Sequence, residues 1–228
     1  MVGQDGVTLT ELLVVLSLLG VVLPMLAALM ISIQRTVVTE ADRSQSNDQA
    51  RLAVEGLDRE IRSGNVLYDP QGETDAAHYI FPGMSLRVYT QSNATTRGPR
   101  NNGERCVQWR IKYHKYADTA GTQLLPTSRQ SYELQRRDWP KDWTSADATP
   151  QWTVVADHVM NRVSPQTAAF SVDPAKRTVS IVILVTQNAT TSKTVRVDTT
   201  VEGRNTVYGY PNTVCATIPP YPQDSLES

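Results

Sequence analysis

From residue 12 to residue 33 the chain carries no charge, and leucine, valine, isoleucine, methionine and alanine fill most positions. As a helix, that run is long enough to cross a bilayer. Two readings of it need no further motif. In the first, residues 7–33 are a secretory signal peptide, with a short apolar core ending at Pro24 and cleavage near Ala27-Ala28. Against this, apolar residues continue through Leu29, Met30, Ile31 and Ile33, and no basic residue precedes the core. In the second, the run is a plain single-span anchor, and Glu11 at its edge is a helix cap. Thr8-Leu9-Thr10-Glu11 fits the capping-box pattern, with Thr8 at N-cap and Glu11 at N3.

The order of residues at the edge supports a third reading. Gly6 is followed by a hydrophobic Val7, a short polar step and a lone acid, Glu11, before the uncharged helix begins. This order resembles the processing and assembly signal of type IV prepilins: a glycine before the cut, a hydrophobic or aromatic first residue, and glutamate as the fifth mature residue. Phenylalanine or methionine is usual where Val7 stands. The resemblance implies cleavage after Gly6 and N-methylation of Val7 by a prepilin peptidase, so that residues 1–6 are a leader. It also implies a subunit stored in the inner membrane, with its C-terminal domain outside the cytoplasm, and drawn into a filament by an assembly platform. A carboxylate in hydrocarbon costs up to about 3 kcal/mol at mid-membrane on insertion scales, and less near the edge. The resemblance supplies Glu11 with a partner, the α-amine of a neighbouring subunit, which cleavage creates. Residues 1–6 hold no lysine or arginine, whereas Arg35, Arg43 and Arg51 follow the run, so the positive-inside count opposes the implied orientation. A start lying upstream, with a basic leader, is the expectation that reconciles the two. Pro24 falls within the span, where it lacks an N–H and crowds the carbonyl of Gly20, so a kink is expected.

Beyond the span, Ala50, Ala53/Val54, Leu57 and Ile61 recur at helical spacing and predict a stripe for a globular domain to pack on. Glu55–Arg59 and Asp58–Arg62 are placed as supporting (i, i+4) pairs. Ser63-Gly64-Asn65 ends the pattern, with Gly64 suited to a left-handed C-cap. One helix over residues 7–63, with a membrane span at about 12–33, is therefore expected. The stretch from Arg51 to Arg62 resembles the same region of W- and J-type minor pilins. The later Val159-Met160-Asn161-Arg162-Val163 and the valine-rich strand before Arg204-Asn205 resemble them too.

After Gly64 the period changes to that of strands. Val107, Trp109, Ile111 and Tyr113 alternate with polar residues, predicting a half-buried strand. Residues 179–185 are apolar on both faces and read as a central strand. Strands are also expected at 169–172 and 195–201, with weaker ones near 85–90, 131–136 and 152–156. Residues 64–104, rich in Gly, Pro and Asn, read as an irregular connection with at most one hairpin, residues 105–210 as an antiparallel β domain, and residues 211–228 as a proline-rich tail. The fold expected is α+β and pilin-like, a long N-terminal helix packed on an antiparallel sheet.

Chemistry is sparse. A net charge of −1 argues against non-specific nucleic-acid binding. No Gly-x-Ser-x-Gly turn or phosphate-binding glycine loop occurs, His78, His114 and His158 lack ligand spacing, and the acids are scattered. No enzymatic activity, cofactor or metal is expected. Cys106 and Cys215 are either a disulfide, if they lie outside the cytoplasm, or two unrelated buried thiols. Trp139 and Trp143, set among basic residues, are read as folding back over the sheet, in preference to stacking on a nucleic acid or a partner. Asn93-Ala94-Thr95 and Asn188-Ala189-Thr190 match a short, common glycosylation pattern that carries no weight here. The expected function is that of a minor pilin or pseudopilin of a type IV pilus or type II secretion machine, near the filament tip. Its expected partners are other pilin or pseudopilin subunits. The alternative is a single-span β-domain binding protein that does not polymerise.

Overall fold

The computed structural model describes residues 8–66, 68–75, 80–91, 103–112, 116–117, 123–124, 132–161, 167–173, 178–186, 194–203 and 213–221. Gly6, Val7, His78, Tyr113, His114, Arg162-Val163, Arg204-Asn205 and both glycosylation patterns lie outside the described residues. The chain divides into two compact units, Met1–Ala41 and Asp42–Ser228.

Helix α1 runs Leu9–Ser63 and contains Pro24. In the first unit every leucine, valine, isoleucine and methionine from residue 12 to residue 33 is at least 50% exposed. No face of this stretch is covered. The Ser17 hydroxyl is satisfied by the helix itself: its Oγ donates to the Val14 carbonyl at 2.8 Å, which removes one polar group that lipid would not solvate. By length and composition the helix is able to cross a membrane.

In the second unit the helical residues 42–63 bury Ala50, Ala53, Leu57 and Ile61 completely, the stripe that their spacing predicts. Asp58 and Arg62 form the expected pair at 2.8 Å, whereas Glu55 takes Arg51, one turn earlier, also at 2.8 Å. Both pairs sit on exposed positions and contribute little beyond a few tenths of a kcal/mol each.

The sheet has the order β1-β2-β3-β6-β7-β9-β10, with β8 pairing β9, and all these pairings are antiparallel. The strands are β1 (Gly64–Val66), β2 (Ser85–Gln91), β3 (Glu104–Lys112), β6 (Tyr132–Pro140), β7 (Thr153–Val159), β8 (Phe170–Asp173), β9 (Thr178–Val185) and β10 (Val195–Glu202). A separate pair joins β4 (Tyr116–Ala117) to β5 (Gln123–Leu124). Within the 64–104 stretch, expected as an irregular connection with at most one hairpin, β2 falls where a weaker strand near 85–90 is expected, and it pairs with β1, a three-residue strand that the sequence reading does not include. In β9 the burial alternates: Val179, Ile181, Ile183 and Val185 are buried, and the residues between them are half-buried. It is therefore less enclosed than its apolar sequence suggests.

Gly64 does not adopt the left-handed conformation expected of it; among the described glycines positive φ occurs at Gly83 and Gly103. Its small size is needed for another reason. A Cβ there would lie 2.6 Å from the Tyr89 carbonyl oxygen and 2.9 Å from that of Glu60, where helix turns into strand against β2. Both neighbours are backbone and cannot swing aside. Gly64→Ala is expected to lower stability by about 1–3 kcal/mol. Denaturant titration checks this, and an unchanged midpoint would show that the helix–strand junction relaxes freely.

Candidate functional site

The first site predicted from sequence is the start of α1. Thr8 Oγ1 accepts the Glu11 N–H at 3.3 Å, and the Thr8 carbonyl accepts from Glu11 and Leu12 N–H, both at 3.1 Å. Thr8 is thus the N-cap. The Glu11 side chain is exposed in the first turn, and no described side chain forms an ion pair with it.

The second unit has two faces built by strand alternation. On one face, Leu86, Val88, Val107, Trp109, Ile111 and Leu134 belong to the main apolar core with the helical residues 50–61. A polar joint crosses this core. Glu60, 8% exposed, accepts the Trp109 indole N–H at 2.6 Å and Arg136 Nε at 2.7 Å. Arg136 also reaches Asp138 at 2.7 Å, and Asp138 bonds Arg105. Gly56, one turn before Glu60, leaves room for the indole: a Cβ there would stand 3.2 Å from Trp109 Cη2.

The opposite face carries Ser85, Arg87, Gln108, Arg110, Gln135 and Arg137, each at most 5% exposed. Register places Gln108 opposite Arg137 and Arg110 opposite Gln135, with Arg87 opposite Gln108 on the other side. Arg137 Nε and Nη2 donate to Gln108 Oε1 at 3.0 and 2.8 Å, and Arg110 Nε donates to Gln135 Oε1 at 3.0 Å. The tail covers this face together with Tyr68, Glu73 and Trp152. Cys215 is bonded to Cys106 across a separation of 109 residues, with Cα atoms 5.6 Å apart. Of the two readings of the cysteines, the disulfide is the one found. Closing a loop of that length contributes on the order of 4–5 kcal/mol on a chain-entropy argument. Tyr89, Trp139 and Trp143 pack around the disulfide as a second, smaller core. Trp139 is not folded back over the sheet but belongs to it, in β6 opposite Cys106, and Trp143 follows that strand; both are buried.

From Cys215 the tail runs over the arginines. Arg87 bonds the Cys215 carbonyl and Glu73. The Arg137 guanidinium lies 4.6 Å from the Tyr221 ring centroid and 4.5 Å from that of Trp152. Those rings stack in parallel, 6.1 Å apart. Burial is the main cause that pushes Arg137 down to about 10, with Arg110 and Arg87 adding like charge; at neutral pH it stays cationic. Burial likewise raises the Tyr221 phenol above its ordinary value, against the pull of Gln108 and the arginines. Among the described residues no carboxylate pairs with Arg137. Its charge is offset by amide and carbonyl oxygens and ring faces.

Beside the tail lies a cavity of about 420 Å³, lined in part by Glu73, Thr74, Ile80, Arg87, Gln108 and Tyr221. Much of its polar lining is already engaged. Gln108 Nε2 donates to Ser85 Oγ at 3.1 Å, and Ser85 Oγ donates to the Trp109 carbonyl at 3.2 Å. Among the described residues no group of three or more His, Cys, Asp or Glu side chains is placed to hold a metal ion.

Of the residues singled out by sequence, the structure brings together Cys106 and Cys215, places Glu11 at the helix start, and does not describe Gly6 or Val7. The arginine face was missed because Gln108 and Arg110 alternate with apolar residues as on any half-solvated strand. The signal available was a cysteine shared between that strand and a tail rich in proline and tyrosine. No protein-family model, curated protein or solved structure matches the chain.

Glu60→Ala leaves the Trp109 N–H and Arg136 without their acceptor. A loss of about 2–4 kcal/mol is expected, with a shift in Trp109 emission on partial hydration. A loss below about 0.5 kcal/mol in thermal denaturation would show that the joint is not structural.

Proposed function

We propose that this chain is a filament subunit of the type IV pilin class, a minor pilin or pseudopilin with a structural role and no catalytic one. The observation that carries this reading is the apolar stretch of α1, exposed on every side and headed by a lone carboxylate. The Asp42–Ser228 unit has its own apolar core, to which α1 contributes residues from Ala50 onward. The large apolar side chains of residues 12–33 are exposed, a surface suited to lipid before assembly and to neighbouring helices after it. Leader removal after Gly6 exposes the α-amine of Val7, and that amine on one subunit is the partner for Glu11 on the next. The W- and J-type resemblance of residues 51–62 supports a position near the tip. The machine served is a type IV pilus or a type II secretion system.

The proposal is tested by Glu11→Ala. Processing is expected to continue, whereas the variant falls at least tenfold in the sheared filament fraction and accumulates in the inner membrane. Normal incorporation of Glu11→Ala would sink the amine–carboxylate pairing. Parent protein confined to the membrane and missing from every filament fraction would favour the anchored, non-polymerising alternative. Replacing Gly6 by a bulkier residue is expected to block processing, leaving a mass that retains the leader.

A further inference from the structure

The tail is held on the outer sheet face by recognition of its main chain and not by strand pairing. Arg137 Nη2 donates to the Pro219 carbonyl at 3.1 Å and Nη1 to the Pro220 carbonyl at 3.2 Å. Two consecutive prolines offer carbonyls but no N–H, and their fixed φ holds the segment extended at little entropic cost. Tyr221 then enters the stack of Trp152 and guanidinium planes, and the Arg110 guanidinium lies 5.2 Å from its centroid. Aromatic walls plus donors that read the carbonyls of a proline-rich segment are a general mode of peptide recognition. The floor's side chains come from β2, β3 and β6 in register and also bond one another, through Gln108–Ser85 and Arg110–Gln135.

We propose that this face also docks the proline-rich tail of a second copy while the cysteines are reduced, with the Cys106–Cys215 bond then fixing the pairing. The tail is the ligand whose fit the structure displays, and a second copy carries the same one. Exchange of an identical element between copies replaces each contact with its equivalent and therefore costs little. Residues 204–212, outside the described residues, join β10 to the tail, and a linker of that length spans at most about 30 Å. While the cysteines are reduced, only linker geometry favours the chain's own tail, through an effective concentration on the order of millimolar. Copies crowded in a membrane or an array compete with that. Exchange with an external disulfide such as oxidised glutathione, which leaves as two thiols, closes the Cys106–Cys215 bond and locks the choice. The inference stands apart from the filament proposal and holds for a non-polymerising anchor too.

The test uses the full wild-type chain in detergent. Equal amounts of ¹⁴N- and ¹⁵N-labelled protein are mixed, reduced, and reoxidised in a glutathione buffer at increasing protein concentration. The Cys106–Cys215 linked peptide is then read by mass spectrometry. Mixed-isotope linkages are expected to appear and to rise at least threefold over a tenfold increase in protein. A synthetic peptide of residues 213–221 carrying Cys215→Ser, added at millimolar concentration, competes with both tails for the same groove and is expected to slow the formation of same-isotope and mixed linkages alike, by about twofold or more. The same peptide with alanine at Pro219, Pro220 and Tyr221 is expected to leave both rates unchanged. Same-isotope linkages alone at every concentration would overturn the proposal, as would mixed linkages that both peptides slow equally or that neither slows.

Discussion

The contact between Trp109 and Glu60 sets how the helix meets the sheet. Gly56 and Glu60, one turn apart on α1, form a socket: the glycine clears space for the indole and the carboxylate takes its N–H. Arg136 closes the socket from the neighbouring strand, so helix, β3 and β6 share one hydrogen-bonded point inside an otherwise apolar layer. A buried carboxylate with a single partner would destabilise the unit, whereas two donors in good geometry make it neutral or better. The joint fixes rotation and height of the helix on the sheet, and Ala50, Ala53, Leu57 and Ile61 then fall on the core.

With that face occupied, the central strands still present a second one. Gln108, Arg110 and Arg137 cannot be left in an apolar layer, and the tail answers them with carbonyls, a phenol and rings. The arrangement inverts the usual division of a two-faced sheet, in which the polar side meets water. The disulfide ties the tail to β3 among Tyr89, Trp139 and Trp143. A covalent hold and a cation–aromatic stack thus act on successive parts of one strap.

Much of this was legible in the residues and some was not. The helical stripe from Ala50 to Ile61 follows from spacing alone, because burial of apolar side chains at a 3.6-residue period has few alternatives. The strands β3, β9 and β10 follow from alternation or from β-branched runs. What escaped was set by long-range partners. Gln108 and Arg110 read as solvated until a segment more than a hundred residues away covers them. Gly64 read as a C-cap because close approach to the Tyr89 carbonyl leaves no mark in local sequence. Glu60 reads as one more charge on a helix until Trp109 and Arg136 arrive. At the N-terminal edge the cap at Thr8 was readable from Thr8-Leu9-Thr10-Glu11, and it gives Glu11 an ordinary place in the first turn. The acid acquires further meaning from its company: Gly6 before it and an uncovered apolar helix after it.

The central claim, that this helix is the processed assembly segment of a filament subunit, is tested most directly by the terminus of the natural protein. Mass spectrometry of the chain isolated from its own membranes should find it beginning at an N-methylated Val7. A chain that begins at Met1 or further upstream, or at a cut near Ala28, would contradict the account.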